Sequence, residues 1–253
     1  MSDVYSCNDP VTRSEGFTQA KLALAHGNLV VLPTDTVYGV AADAFDPAGV
    51  RRLLRAKGRG RAMPIPVLIG ETDTLQALTT RLSQSARDLA DRFWPGGLTL
   101  ICTQQPSLHW DLGDSRGTVA LRIPDHPDAR ELLLDNGPLA VSSANTTGEP
   151  PATTVEEARD MLGDAVSVYL DAGPTPGLIP STIVDASSDV LTVVRLGVVS
   201  LAQLREVAAD IELDESLRGA EPPPHLNDGP VRLDEQSADV DRRQGGVDKG
   251  AGE

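Results

Sequence analysis

Eight short runs of aliphatic and β-branched residues punctuate this chain, and most end in a turn bearing a hydroxyl, an amide or an arginine. They are LVVLP (29–33), PIPVLIG (64–70), LTLICT (98–103), TVALRIP (118–124), LAVSSAN (139–145), SVYLDAG (167–173), STIVDAS (181–187) and LTVVRLG (191–197). Apolar runs of this length, bounded by Gly, Pro or polar turns, are strands. Helical spacing fills the gaps. It covers residues 13–27, Pro47 to Ala56, one long stretch from Thr74 to Phe93, Pro127 to Leu134, Val155 to Leu162 behind a Thr153 or Thr154 cap, and Leu201 to Ala209. Helices alternate with strands early, and three strands crowd together late. That order predicts an α/β domain on a mixed rather than purely parallel sheet.

At 253 residues the chain can bury a full core. Aromatics make up only 3%, so that core must come from Ala, Val, Leu and Ile. The same scarcity argues against a platform on which single-stranded nucleic acid stacks. Cys7 and Cys102 have no CxxC spacing and no neighbouring His, which points to free thiols in a reducing cytoplasm rather than a disulfide scaffold or zinc site. The first residues, MSDVYSCNDP, lack the apolar core of a signal peptide, and no apolar run approaches the ~20 residues that span a bilayer. The pattern divides the chain into a flexible segment (1–12), a folded domain (13–213) and an acidic, disordered tail (214–253).

Charge singles out one place. The formal net charge is -15, yet between Asp46 and Glu71 stand Arg51, Arg52, Arg55, Lys57, Arg59 and Arg61 with no acidic residue. The acidic total speaks against broad nucleic-acid binding, while a local basic loop beside a strand end suits a phosphate. Lys57 and Arg59 flank Gly58, so both could reach one anion, although cations also suit a helix C-terminus. The usual phosphate fingerprints, G-x-x-x-x-G-K-[ST] and G-x-G-x-x-G, are absent, and His26, His109, His126 and His225 lack metal-ligand spacing. What remains is polar chemistry at strand ends. Thr34, Asp35 and Thr36 follow the first strand, as a turn cap or a ligand site. Arg122 lies on an otherwise apolar strand and needs a partner, either a structural carboxylate or a bound one. Ser142, Ser143 and Asn145 emerge from a buried strand, and Arg195 ends another just before Gly197.

Taken in order, PTDTVYG, KGR, FWPGGLTL, ALRIPDHP, SSANTTG, STIVD and VVRLG strongly resemble the YrdC-like family of threonylcarbamoyl-AMP synthases, over about residues 15–205. The K-x-R and S-x-N elements of active members appear as Lys57-Gly58-Arg59 and Ser143-Ala144-Asn145. The resemblance implies an open, twisted mixed sheet with flanking helices and a concave basic cavity. It implies a catalytic domain over 13–213 that joins L-threonine, bicarbonate and ATP into L-threonylcarbamoyl-AMP and pyrophosphate. Mg²⁺ would come with ATP, no protein metal site is expected, and the product would go to the tRNA threonylcarbamoyl transferase complex. By the same resemblance, Thr36, Arg122 and Ser181 bind threonine. Lys57 and Arg59 are the catalytic pair on the triphosphate, with Thr118, Ser143, Asn145 and Arg195 around the nucleotide. Met63 departs from the family, where many relatives carry a polar residue. The other readings are a non-catalytic YrdC-like module binding double-stranded RNA or tRNA, against which the acidic charge counts, and the related domain of hydrogenase-maturation carbamoyltransferases.

Overall fold

The structure, a computed structural model, describes residues 2–177 and 179–219. In chain order the elements are β1 (Asp3–Ser6), α1 (Pro10–Ala25), β2 (Val30–Leu32), β3 (Gly39–Asp43), α2 (Pro47–Lys57), β4 (Val67–Leu68), α3 (Thr72–Leu78), α4 (Gln84–Phe93) and β5 (Leu98–Thr103). Then come β6 (Thr118–Arg122), α5 (Pro127–Asn136), β7 (Leu139–Ser143), α6 (Val155–Leu162), β8 (Val168–Asp171), β9 (Thr182–Asp185), β10 (Thr192–Arg195), α7 (Leu201–Val207) and β11 (Glu212–Leu213). The strands form one open mixed sheet in the order β1-β8-β2-β3-β7-β4-β6-β5-β9-β10-β11. This is the expected fold class.

Four details differ from the sequence pattern. The helix expected over Thr74 to Phe93 is two helices. Thr79 bridges Gln104, the Thr80 amide donates to the Thr103 carbonyl at 2.9 Å, and Ser83 then caps α4 through the Ala86 amide at 3.2 Å. Pairing with β5 outweighs local helical preference over these few residues. The segment 1–12, expected to be flexible, contains β1, which pairs in parallel with β8, and the start of α1, capped by Asp9. Strands β3 and β11 lie outside the eight runs, and of the three late strands β9 and β10 pair antiparallel while β8 lies near the far edge between β1 and β2. The expected tail begins within structure, since Asp214 caps a short 3-10 turn over Glu215–Leu217. Its remainder, 220–253, lies outside the described residues.

Strand alternation sends successive side chains to opposite faces. One face is packed along its whole width. Leu98, Leu100 and Cys102 of β5, Val119 and Leu121 of β6, and Val184 of β9 join Val50 and Leu53 of α2, Leu89 of α4, Ala158 of α6 and Leu204 of α7 in the main core. The other face is covered in part. There α1 (Phe17, Ala20, Leu24) and α5 (Ala129, Leu132, Leu133) lie over Val30, Leu32, Ala41, Leu68, Val141 and Leu170. No residue of β5, β6, β9 or β10 enters that second cluster. Their side chains on this face line a cavity instead.

The end of the VVRLG motif closes one wall of that cavity by close backbone approach. A Cβ on Gly197 would collide with the Pro180 carbonyl and the backbone of Ser181 and Thr182. Gly197→Ala should therefore lower stability by about 2 kcal/mol, as overpacking does, and drop the thermal midpoint by roughly 4–8 °C. A melting curve decides it. An unchanged midpoint would mean the Pro180–Thr182 segment gives way freely.

Candidate functional site

The cavity has a volume of about 380 Å³. Its floor is the uncovered sheet face: Thr99 and Ile101 of β5, Thr118, Ala120 and Arg122 of β6, Ser143 of β7 and Ile183 of β9. Its rim is loop: Thr34 and Thr36 before β3, Arg59 and Pro64 after α2, Ser115 before β6, Ser181 before β9, and Arg195 at the end of β10.

Arg122 organises the centre. Its Nε donates to the Gly96 carbonyl at 2.9 Å, one terminal nitrogen to Thr36 Oγ1 at 3.0 Å, and the other to Asp35 Oδ1 at 2.6 Å. Its partner is thus a structural carboxylate, 87 residues away in sequence. Asp35 Oδ1 also accepts from the Asp125 amide at 2.9 Å, so this carboxylate ties the β2–β3 turn to the β6–α5 turn rather than capping its own. The turn closes through Thr34, whose Oγ1 donates to the Val37 carbonyl at 2.6 Å and accepts from the Thr36 amide at 3.2 Å. Of the five guanidinium N–H groups of Arg122, three have these partners. The other two have none among the described residues.

On the next strands the hydroxyls of Thr99 and Ser181 lie 2.8 Å apart. Arg195 reaches over them, donating to the Ser181 carbonyl at 3.0 and 2.7 Å and to Ser181 Oγ at 2.9 Å. Across the cavity, Arg59 donates to Ser142 Oγ at 3.2 Å and to the carbonyls of Met63 and Pro64 at 2.9 and 3.1 Å. Thr118 Oγ1 is turned to the Ser115 carbonyl at 2.7 Å.

A family model described as telomere recombination, that of Sua5, YciO and YrdC proteins, matches residues 22–197. The chain belongs to the Sua5/YciO/YrdC family. It is 52% identical over 207 residues to a provisionally named threonylcarbamoyl-AMP synthase of Mycobacterium tuberculosis strain H37Rv, covering 82% of this chain and 95% of that one. It is 35% identical over 219 residues to the threonylcarbamoyl-AMP synthase of Bacillus subtilis, covering 86% of this chain and 62% of that longer one. Among solved structures, Pyrococcus abyssi Sua5 complexed with L-threonine superposes with a TM-score of 0.80 at 28% identity, over 88% of this chain and 65% of that one.

This Sua5/YciO/YrdC cavity gathers seven of the nine expected site residues: Thr36, Arg59, Thr118, Arg122, Ser143, Ser181 and Arg195. Lys57 and Asn145 are not among its lining residues. Lys57 is buried, and its ammonium donates to the carbonyls of Ser143 and Asn145 at 2.6 Å each and to Asn145 Oδ1 at 3.1 Å. All three of its protons are thereby engaged. Asn145 in turn donates to the carbonyls of Thr146 and Glu149 at 2.9 and 2.7 Å. Gly58 makes the division possible. Its φ of 61° caps α2 in the left-handed conformation, so that Lys57 packs inward while Arg59 heads the loop beyond. Asp35 was legible as a turn cap or a ligand site but not as the mate of Arg122, and Thr99 not at all, because a Thr within LTLICT carries no signal of its own.

The cavity is electrostatically strained in one direction. Burial, opposed by the neighbouring Asp35 carboxylate, draws the Arg122 guanidinium below its usual range, and burial does the same to Arg59. Arg195 is open to cavity solvent yet walled by protein. That enclosure first, then the charges of Arg122 and Arg59, bring it down to about 10. Lys57 falls to about 8, through burial and then the Arg59 charge. Of the three arginines only Arg122 has an ion-pair partner among the described residues. An anion placed between them would relieve all three.

The two members of the K-x-R element should separate on mutation. Lys57→Met leaves the buried carbonyl and the side-chain Oδ1 of Asn145 without a donor and should lose roughly 2–3 kcal/mol of unfolding free energy in urea titrations. Arg59→Met, half-exposed with neutral acceptors, should lose less than about 1 kcal/mol. Equal losses, or none at Lys57, would return Lys57 to the role of a ligand contact.

Proposed function

We propose that this protein is an L-threonylcarbamoyladenylate synthase, a nucleotidyltransferase that converts L-threonine, bicarbonate and ATP to L-threonylcarbamoyl-AMP, pyrophosphate and water. The observation that carries this reading is one cavity holding two kinds of site. The Arg122–Asp35–Thr36 cluster, with Ser181 and Thr99 beside it, offers paired N–H groups and hydroxyls to a small hydroxy-amino acid. Arg59 and Arg195 offer cations without carboxylate partners to a polyphosphate. The B. subtilis relative bears the name threonylcarbamoyl-AMP synthase, and L-threonine occupies the P. abyssi Sua5 structure.

In this reading Arg122 takes the threonine carboxylate with its two remaining N–H groups, bidentate recognition being its strongest mode. Thr36 and Ser181 fix the rest of the amino acid. The threonine amine takes up CO₂ to form a carbamate. A carbamate oxygen then attacks the α-phosphorus, and the bond to the pyrophosphate leaving group breaks. Charge develops on phosphate oxygens, where Arg59 and Arg195 stabilise it from fixed positions. Thr118 and Ser143 border the nucleotide, while Lys57 and Asn145 act by holding the loop that carries Ser143. Among the described residues no three His, Cys, Asp or Glu side chains are grouped to hold a metal. In this reading Mg²⁺ arrives on the phosphates of ATP. The product would pass to the tRNA threonylcarbamoyl transferase complex in the cytoplasm. Among the described residues no helix is long and apolar enough to cross a membrane.

Purified protein should release pyrophosphate from ATP only when both threonine and bicarbonate are present. Release independent of either would sink the reading. Arg59→Ala should cut kcat/KM for ATP by about a hundredfold with the melting midpoint kept.

Binding should also be linked to protons. The low values of Lys57 and Arg195 arise partly from neighbouring cations, so a bound triphosphate raises both. At about pH 8.5, where free Lys57 is partly neutral, ATP binding should take up protons. At about pH 6.5, where it is already charged, uptake should vanish. Calorimetry in buffers of different ionisation enthalpy measures this, and proton release at the higher pH would contradict the assigned electrostatics.

A further inference from the structure

Arg59 stands between two glycines, Gly58 with φ of 61° and Gly60, around neither of which any atom approaches a would-be Cβ. Its amide is held by the Leu54 carbonyl at 2.8 Å, but neither flanking glycine restricts the direction of the chain by packing. The guanidinium is aimed by Ser142 Oγ and by the carbonyls of Met63 and Pro64, which accept from its Nε and one terminal nitrogen. Those carbonyls lie on a stretch without regular structure between α2 and β4. What holds that stretch is the loop between β5 and β6. The Asp114 amide donates to the Arg61 carbonyl and the Ile65 amide to the Leu112 carbonyl, both at 2.9 Å. Between these two bonds sits Gly113, so close to the Arg61 carbonyl that a Cβ would meet it at 2.8 Å. At the end of the ladder Arg61 grips Asp111 with both terminal nitrogens, at 3.0 and 2.6 Å, and its Nε lies 3.5 Å from Asp114. The same two loops supply Pro64, Leu112 and Ser115 to the cavity wall.

From this arrangement we infer that Arg61 and Asp111 are positioning residues: their clasp holds the carbonyls that orient Arg59, and so sets the affinity of the cavity for the polyphosphate of its nucleotide. The inference rests on the proposed synthase reading for its substrate, and on geometry alone for the clasp. Arg61 is not among the cavity-lining residues, and Asp111 offsets its charge. Both side chains are substantially exposed, at 49% and 34%. A pair this exposed adds little to global stability, so variants should fold.

One substitution separates positioning from field strength. Asp111→Asn leaves Arg61 only the longer contact to Asp114 and makes the region more positive. If only the electric field mattered, ATP would bind more tightly. If the clasp aims Arg59, KM for ATP should rise about five- to tenfold, as small misplacements of a binding group do, with KM for threonine unchanged. The exchanged pair, Arg61→Asp with Asp111→Arg, should restore most of the loss. An independent readout needs no turnover: the Arg59 Nε–H resonance, slowed in exchange by its bond to Met63, should be visible in the wild type and lost in Asp111→Asn. A fall or no change in KM for ATP, with the resonance retained, overturns the clasp. Should the wild type release no pyrophosphate, the synthase reading fails while the resonance alone still decides for or against the clasp.

Discussion

Everything at this site depends on how far two helices reach across one sheet face. Helices α1 and α5 cover the half of that face built from β8, β2, β3, β7 and β4, and leave the half built from β6, β5, β9 and β10 bare. A bare apolar face that wide would be a liability. The chain answers by mixing Thr99, Ala120 and Thr118 with Ile101 and Ile183 there, and by placing arginines on the floor and at its margins. The opposite face of the same strands carries Leu98, Leu100, Cys102 and Leu121 into the main core. Each of these strands is thus a core strand on one side and a binding floor on the other.

Putting arginine on such a floor raises a charge problem, and the site solves it only in part. Arg122 is nearly enclosed and would be very unfavourable alone. Asp35 meets it from the covered half of the sheet, and the same carboxylate oxygen takes the Asp125 amide. Arg59 and Arg195 receive only neutral acceptors. The unliganded cavity therefore retains uncompensated positive charge inside a protein of net charge -15. The two do not cancel. Exposed acidic groups are screened over about 8 Å at physiological ionic strength, whereas charges enclosed by protein keep much of their field. Selectivity for an anion then arises at short range, within the cavity.

Much of this was legible in the residues. The strand runs, the cationic loop, Arg122 in need of a partner and the hydroxyl-rich strand ends all led to the same cavity. What escaped was decided by contacts far apart in sequence. Nothing in PTDT singles out Asp35 as the mate of Arg122, since the pairing exists only once β2 and β6 are placed in one sheet. Nothing in LTLICT marks which alternate residues face a core and which a cavity, because both sets are apolar or small. The break at Thr79–Ser83 follows from pairing with β5, which no helical period can report. Segment 3–6 reads as polar and loose, yet β8 offers it an edge to join.

The short motifs deserve a different reading from the one their spacing invites. In K-x-R the two cations have different protein partners. The left-handed Gly58 turns the chain between them, so that Lys57 is spent on three oxygens of the SSAN loop while Arg59 faces the cavity. In S-x-N the division recurs: Ser143 lines the cavity, and Asn145 binds Lys57 and its own following turn. The two motifs therefore interlock, each giving one anchor and one ligand-facing group, and the anchors bind each other. Loss of activity on changing Lys57 or Asn145 would report a displaced loop before it reported a missing ligand contact.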